Sequence, residues 1–160
     1  MAFAKADHRP WRLRDDRGPE RGVVSVLRNR FAELRAAAEL AAYSDRELLS
    51  LLPYFDEVRP PAGRRLAFEG RSGTAYLVVA QGRLQAWSGD GECRTLMAGD
   101  SFGWNAMWER GLNDATVVVE TDARLLVMGH AQFRALKALG RRPAERSDAE
   151  VGLADSRVVA

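Results

Sequence analysis

The chain offers few residues to a nucleophile and base pair or to a metal ion: two histidines, His8 and His130, and one cysteine, Cys93. A lone cysteine builds neither an internal disulfide nor a zinc cluster, and no His, Cys or carboxylate set stands at metal-ligand spacing, so no metal site is expected. His130 opens an apolar-periodic segment where capping or packing accounts for it. His8 and the acid pair Asp15-Asp16 lie in a leader without periodicity, which cannot hold two carboxylates at the fixed separation that acid-base chemistry requires. Cys93 is expected to be a structural, partly buried thiol. The residues argue against an enzyme and call for no cofactor. Binding chemistry concentrates instead between Phe102 and Ala115. Trp104, Met107 and Trp108 follow a Phe102-Gly103 corner and either line a site or pack in a core. Arg110 is the cation of that stretch, read as solvated or as a compensating anion contact.

The elements that must position this stretch are those of one domain. At 160 residues, 46% hydrophobic and 29% charged, the chain suits a single compact soluble domain with a core. A formal net charge of +2 gives no strong field for nucleic acid or membrane, and neither partner is expected. Lys5 and Lys137 are the only lysines, an arginine and alanine bias that suggests a GC-rich bacterial genome. No apolar run is long enough for a signal peptide or a membrane span, which points to the cytoplasm.

Residues 1–21 and 140–160 read as disordered tails. Residues 22–43 read as an amphipathic helix, with Leu27, Phe31, Leu34, Ala38 and Ala41 on one stripe. Leu27, Phe31 and Leu34 are candidate partner-binding residues, unless the stripe packs on the domain itself. Ser44 and Glu47 form a capping box for a short helix through Leu48, Leu49, Leu51 and Leu52, closed by Pro53. From Phe55 the period becomes twofold: strands at Val58, Leu66 to Phe68, 75–80, 84–87, 92–97, 115–120 and 124–128 alternate with glycine turns. A last helix spans His130 to Leu139 and stops at Gly140.

Several of these segments, in this order, resemble the cyclic-nucleotide-binding domain family, as in catabolite-activator-protein-like effector domains. Ser44 to Leu49 is similar to its first helix, Pro61-Ala62-Gly63 to its first turn, and Phe68-Glu69-Gly70 to its first glycine corner. Tyr76 to Val79 with Gln81 to Leu84 resembles its central hairpin, and Ala98-Gly99-Asp100-Ser101-Phe102-Gly103 the approach to its phosphate-binding cassette. The resemblance covers about 44–139 and implies a mainly β jelly roll, a double-stranded β-helix with flanking α-helices.

It also implies ligand-binding positions at Phe102, Gly103, Trp104, Asn105, Ala106, Asn113, Asp114 and Ala115. In the family a glutamate after Phe-Gly holds the ribose 2′-hydroxyl, and an Arg-Ser/Thr/Ala-Ala triplet clamps the cyclic phosphate. Here Trp104 stands at the glutamate, Asn113 at the arginine and Asp114 at the small residue, while Ala106 and Ala115 match. Desolvating a phosphate monoanion needs a fixed cation, and arginine supplies two charge-assisted bonds at once. Asn113 offers one neutral bond and Asp114 a second negative charge, so the loss is on the order of 3 kcal/mol, about a hundredfold in affinity. The Trp104 indole is expected to fill the ligand cavity. No dimer helix or DNA-reading element is expected past Gly140-Arg141-Arg142-Pro143. The expectation is therefore a regulatory or adaptor module that does not bind cAMP or cGMP tightly and acts through a protein partner. The alternative is a sensor of a small ligand, including a cyclic nucleotide held in an atypical way.

Overall fold

The computed structural model describes residues 19–139. His8, Trp11, Asp15, Asp16 and everything from Gly140 onward lie outside the described residues. The described chain forms three layers: helices, a sheet and a second sheet. Helix α1 (Pro19–Arg35), a single 3-10 turn (Ala38–Leu40) and α2 (Asp45–Leu51) come first. Strands β1 (Asp56–Val58), β2 (Arg65–Ala67), β3 (Ala75–Gln81), β4 (Leu84–Trp87), β5 (Cys93–Leu96) and β6 (Ser101–Phe102) follow. Helix α3 (Trp104–Glu109), β7 (Thr116–Val119), β8 (Arg124–Gly129) and α4 (His130–Ala138) complete the order. The two antiparallel sheets run β1-β8-β3-β6 and β2-β7-β4-β5, the jelly roll that the family resemblance implies.

The alternation of side chains along β3 and β8 divides the interior in two. Tyr76, Val78, Leu126 and Met128 face the helices, where they meet Leu34, Leu40, Leu48, Phe133 and Leu136. Leu77, Val79 and Leu125 face the second sheet, where they meet Leu84, Ala86, Val117 and Val119. Because both faces of β3 are covered, its sequence is a continuous apolar run rather than an alternating one.

The capping box forms as the sequence predicts: the Glu47 amide donates to the Ser44 hydroxyl oxygen (3.3 Å) and the Ser44 amide to the Glu47 carboxylate (2.8 Å). Helix α2 stops at Leu51, and Pro53 lies in the 3-10 turn after it.

Two expectations need correction. The first helix does not run from 22 to 43; it begins at Pro19 and ends at Arg35, and Ala37 is extended (ψ 128°). Arg35 fastens the reversal by donating to the Tyr43 carbonyl (2.7 Å) and pairing with Asp45. The alanines at 38 and 41 carry too little apolar surface to hold a straight helix against the burial of Leu40 and Tyr43. Cys93 is exposed, because β5 is a sheet edge; its thiol donates to Gln85 Oε1 (3.1 Å).

The stripe of α1 is divided. Leu34 is fully buried in the helix-side core and Phe31 is half-buried against it, whereas Leu27, Val23, Val24 and Val26 are exposed. Arg124 on β8 pairs with Glu33 of α1 and with Glu57 of β1 (3.5 Å), and Glu57 also meets Arg30 (3.4 Å) and Arg59 (2.8 Å). Burial pulls the Glu57 carboxyl upward, but the Arg59 hydrogen bond and the charges of Arg59, Arg124 and Arg30 outweigh it and leave the carboxyl below its ordinary value.

Leu34→Ala should lower the unfolding free energy by about 2–5 kcal/mol, and Leu27→Ala by less than about 0.5 kcal/mol, as read by urea denaturation. Glu57's contribution is present above its unfolded value near 4.5 and is lost as pH falls through the depressed folded value. Glu57→Gln should therefore lose less thermal stability than wild type over that acid interval, a difference that melting curves at stepped pH will show.

Candidate functional site

The cassette is built outward from β3. Leu77 pairs with Phe102, so Phe102 turns into the core between the sheets and the next residue must reverse the chain. Gly103 does this at φ +92°, where a Cβ would stand 2.2 Å from the Ala75 carbonyl oxygen, so glycine is required on two counts. Helix α3 follows and lies so close to the 72–73 segment that a Cβ on Gly73 would stand 2.4 Å from the Ala106 methyl.

Arg110 ends α3 in the left-handed conformation (φ 54°, ψ 39°), and the returning loop is clasped to the 68–73 corner. Gly73 donates to the Gly111 carbonyl (3.1 Å), the Asn113 amide to that of Arg71 (2.8 Å) and Gly70 to that of Asn113 (2.9 Å).

Seven of the eight cassette positions named from the sequence, Phe102 to Ala106 with Asn113 and Asp114, border one cavity of about 210 Å³. Ala115 borders an adjoining cavity of about 580 Å³ that shares Arg94 and Asp114 with the first.

The side chains are not disposed as expected. The Trp104 ring does not fill the roll; it is 6% exposed and belongs to the helix-side core. It stacks on Trp108 (5.7 Å between centroids, 17°) and stands edge-on to Tyr76 (5.1 Å) and Phe133 (5.3 Å). The phase of α3 leaving Gly103 turns position 104 toward the helices and leaves Asn105 exposed beside the cavity, and burying an indole there is favoured over leaving it in a polar groove. Asn113 is buried and its amide donates to the Phe68 carbonyl (3.2 Å), which makes it part of the clasp. Asp114 is solvent-exposed and lies 3.7 Å from Arg94.

One residue that sequence reasoning missed enters from a distance. Glu39, on the 3-10 turn after α1, borders the cavity and accepts hydrogen bonds from the Ser101 hydroxyl (2.7 Å) and the Tyr76 hydroxyl (3.4 Å). Burial and then the Glu39 charge push the Tyr76 phenol well above its ordinary value, so it stays a donor. Nothing in the sequence around Glu39 signals this; it depends on the chain reversal after Arg35. The groove thus holds two carboxylates, Glu39 and Asp114, against one guanidinium that Asp114 already engages. Among the described residues there is no cluster of three or more metal-ligating side chains, and no helix is long and apolar enough to cross a membrane.

The fold and the short helix inserted after the Phe102-Gly103 corner place the chain by comparison with known proteins. Residues 57–138 match the model of the cyclic nucleotide-binding domain, and the chain belongs to that family. It is 30% identical over 99 residues to a cAMP-dependent protein kinase regulatory subunit of Aspergillus fumigatus, covering 56% of this chain and 24% of that one. It is 26% identical over 112 residues to a cGMP-dependent protein kinase of Plasmodium berghei, covering 69% and 13%. The chain thus spans a quarter or less of these relatives. Among solved structures it is similar to the cAMP-bound regulatory domain of PKA from Toxoplasma gondii (TM-score 0.62, 24% identity, 69% of this chain and 44% of that chain). It is also similar to a cyclic nucleotide-binding-like protein from Brucella abortus (TM-score 0.58, 18% identity, 68% and 98%).

Asn113→Ala should cost about 1 kcal/mol by removing one of the two donors to the Phe68 carbonyl, which keeps the Arg71 amide (3.2 Å), whereas Asp114→Ala, at a solvated ion pair, should fall within about 0.5 kcal/mol of wild type; urea midpoints distinguish them.

Proposed function

We propose that this domain is a non-enzymatic regulatory module that does not hold cAMP or cGMP tightly and acts through a protein partner in the cytoplasm. The observation that carries the first part is the use to which the cassette positions are put. Trp104 is spent on the helix-side core, Asn113 on clasping the return loop, and Asp114 sits in the groove as a carboxylate opposite Glu39. A cyclic phosphate entering this groove would meet two like charges and one engaged cation, without an oriented arginine fork to replace its water. Support for a partner is the division of α1. Leu34 is withdrawn into the core, so of the three residues expected to meet a partner only Leu27 is fully presented, flanked by exposed Val23, Val24 and Val26.

A second reading has one observation in its favour. Asn105 and Glu39, with the Ser101 hydroxyl between Glu39 and the β6 backbone, offer polar groups suited to an uncharged, hydroxyl-bearing ligand in the groove.

Isothermal titration calorimetry with cAMP and cGMP should give no dissociation constant tighter than about 0.1 mM, a binding free energy weaker than about 5.5 kcal/mol. Restoring the cation and removing the acid with Asn113→Arg and Asp114→Ala together should strengthen binding by about tenfold or more. Micromolar binding by wild type would overturn the reading.

A further inference from the structure

On the opposite side of α3 from the groove, between α3 and α4, lies a cavity of about 370 Å³. Met107 and Phe133, both buried, form its apolar base, and the rest of its lining is basic: Arg110, His130, Arg134 and Lys137. The arrangement follows from local geometry. His130, Arg134 and Lys137 succeed one another at spacings of four and three, so they share one face of α4. Arg110 is brought across from α3 by the left-handed conformation that ends that helix.

No acidic residue lines this cavity. Elsewhere on the described surface Arg30, Arg35, Arg59, Arg83, Arg94 and Arg124 each lie against a carboxylate. Arg110 and Arg134 have no such partner among the described residues. Lys137 is held in place: its ammonium donates to the Trp108 carbonyl and lies 5.6 Å from the Trp108 ring centroid and 5.9 Å from that of Phe133. His130 Nε2 donates to the Gly73 carbonyl (2.8 Å), which fixes the imidazole at the other end of the row. Cations converging without a counter-charge repel one another, and that repulsion turns into attraction when an anion enters.

We propose that this cavity binds the phosphate group of a small phosphorylated molecule. Arg110 and Arg134 supply two guanidinium forks from opposite walls, and Lys137 supplies a fixed point charge between α3 and α4. Three cationic side chains match a multiply charged phosphate better than a carboxylate, which carries a single charge. The cavity lies at the lower end of the size range of small-molecule sites, and its base of Met107 and Phe133 admits a modest apolar body beside the phosphate. The site is separate from the cassette and stands whether or not the groove takes a nucleotide. An occupant would tie α3 to α4.

The test is titration of the full chain with pyrophosphate at about 0.15 M salt, where loose attraction to exposed cations is screened beyond about 8 Å. A parallel arm measures retention on phosphatidylcholine vesicles with and without phosphatidic acid, so that a soluble phosphate and a lipid headgroup are told apart. The expected result is saturable binding in at least one arm, weakened about tenfold or more by Arg110→Ala with Arg134→Ala and unchanged by Arg83→Ala, an exposed arginine that borders neither the cavity nor the groove. Both cavity arginines are exposed, and a melting curve confirms that the double variant is folded. Binding that the double variant does not weaken, or no saturable binding to either probe, overturns the proposal.

Discussion

The pairing of β3 with β8 is the constraint on which the rest of the molecule depends. Each of these strands gives alternate side chains to two different cores, so the register Leu77 to Val127 and Tyr76 to Met128 assigns every neighbouring element a side. A slip of one residue would exchange Tyr76 with Leu77 and place a phenol between the sheets. The cassette inherits this arrangement. Phe102 is inward because it pairs with Leu77, Gly103 must reverse the chain there, and α3 is delivered to the helix side where Tyr76 and Phe133 receive Trp104.

That delivery makes α3 a partition between two environments of opposite charge. On one side Glu39 and Asp114 border the groove, and on the other Arg110, Arg134 and Lys137 face a cavity without an acid. The chain's net charge of +2 does not reveal this separation, because it sums charges over the whole sequence and not over space. A short helix of six residues with buried Ala106 and Met107 is enough to keep them apart.

Much of the fold was legible in the residues. The short apolar strands at 75–80 and 124–128, the Ser44 and Glu47 pair and the Phe102-Gly103 corner each express a local rule, and the structure follows each of them. What was not legible depended on contacts between distant segments. The end of α1 is set by Arg35 reaching Tyr43 and Asp45, and the exposure of Cys93 by the position of β5 at a sheet edge. At the site, the residue types at positions 104 and 113 were readable, but the direction of the Trp104 ring was not. A residue type says what a side chain can do; the phase of α3 decides which core it meets. Glu39 was invisible for the same reason, since 62 residues separate it from Ser101.

The tryptophan arrangement has an optical consequence. Trp104 and Trp108 are stacked within the α3 and α4 layer, whereas Trp87 is half exposed on the far sheet. The two stacked indoles give the cassette helix a built-in reporter whose emission is set by its dry surroundings. A displacement of α3 relative to α4 would unstack them and expose Trp108 to water, which shifts emission to longer wavelength without any attached dye. Motion of this one helix is therefore observable in the unmodified protein, against the background of Trp87 and Trp11.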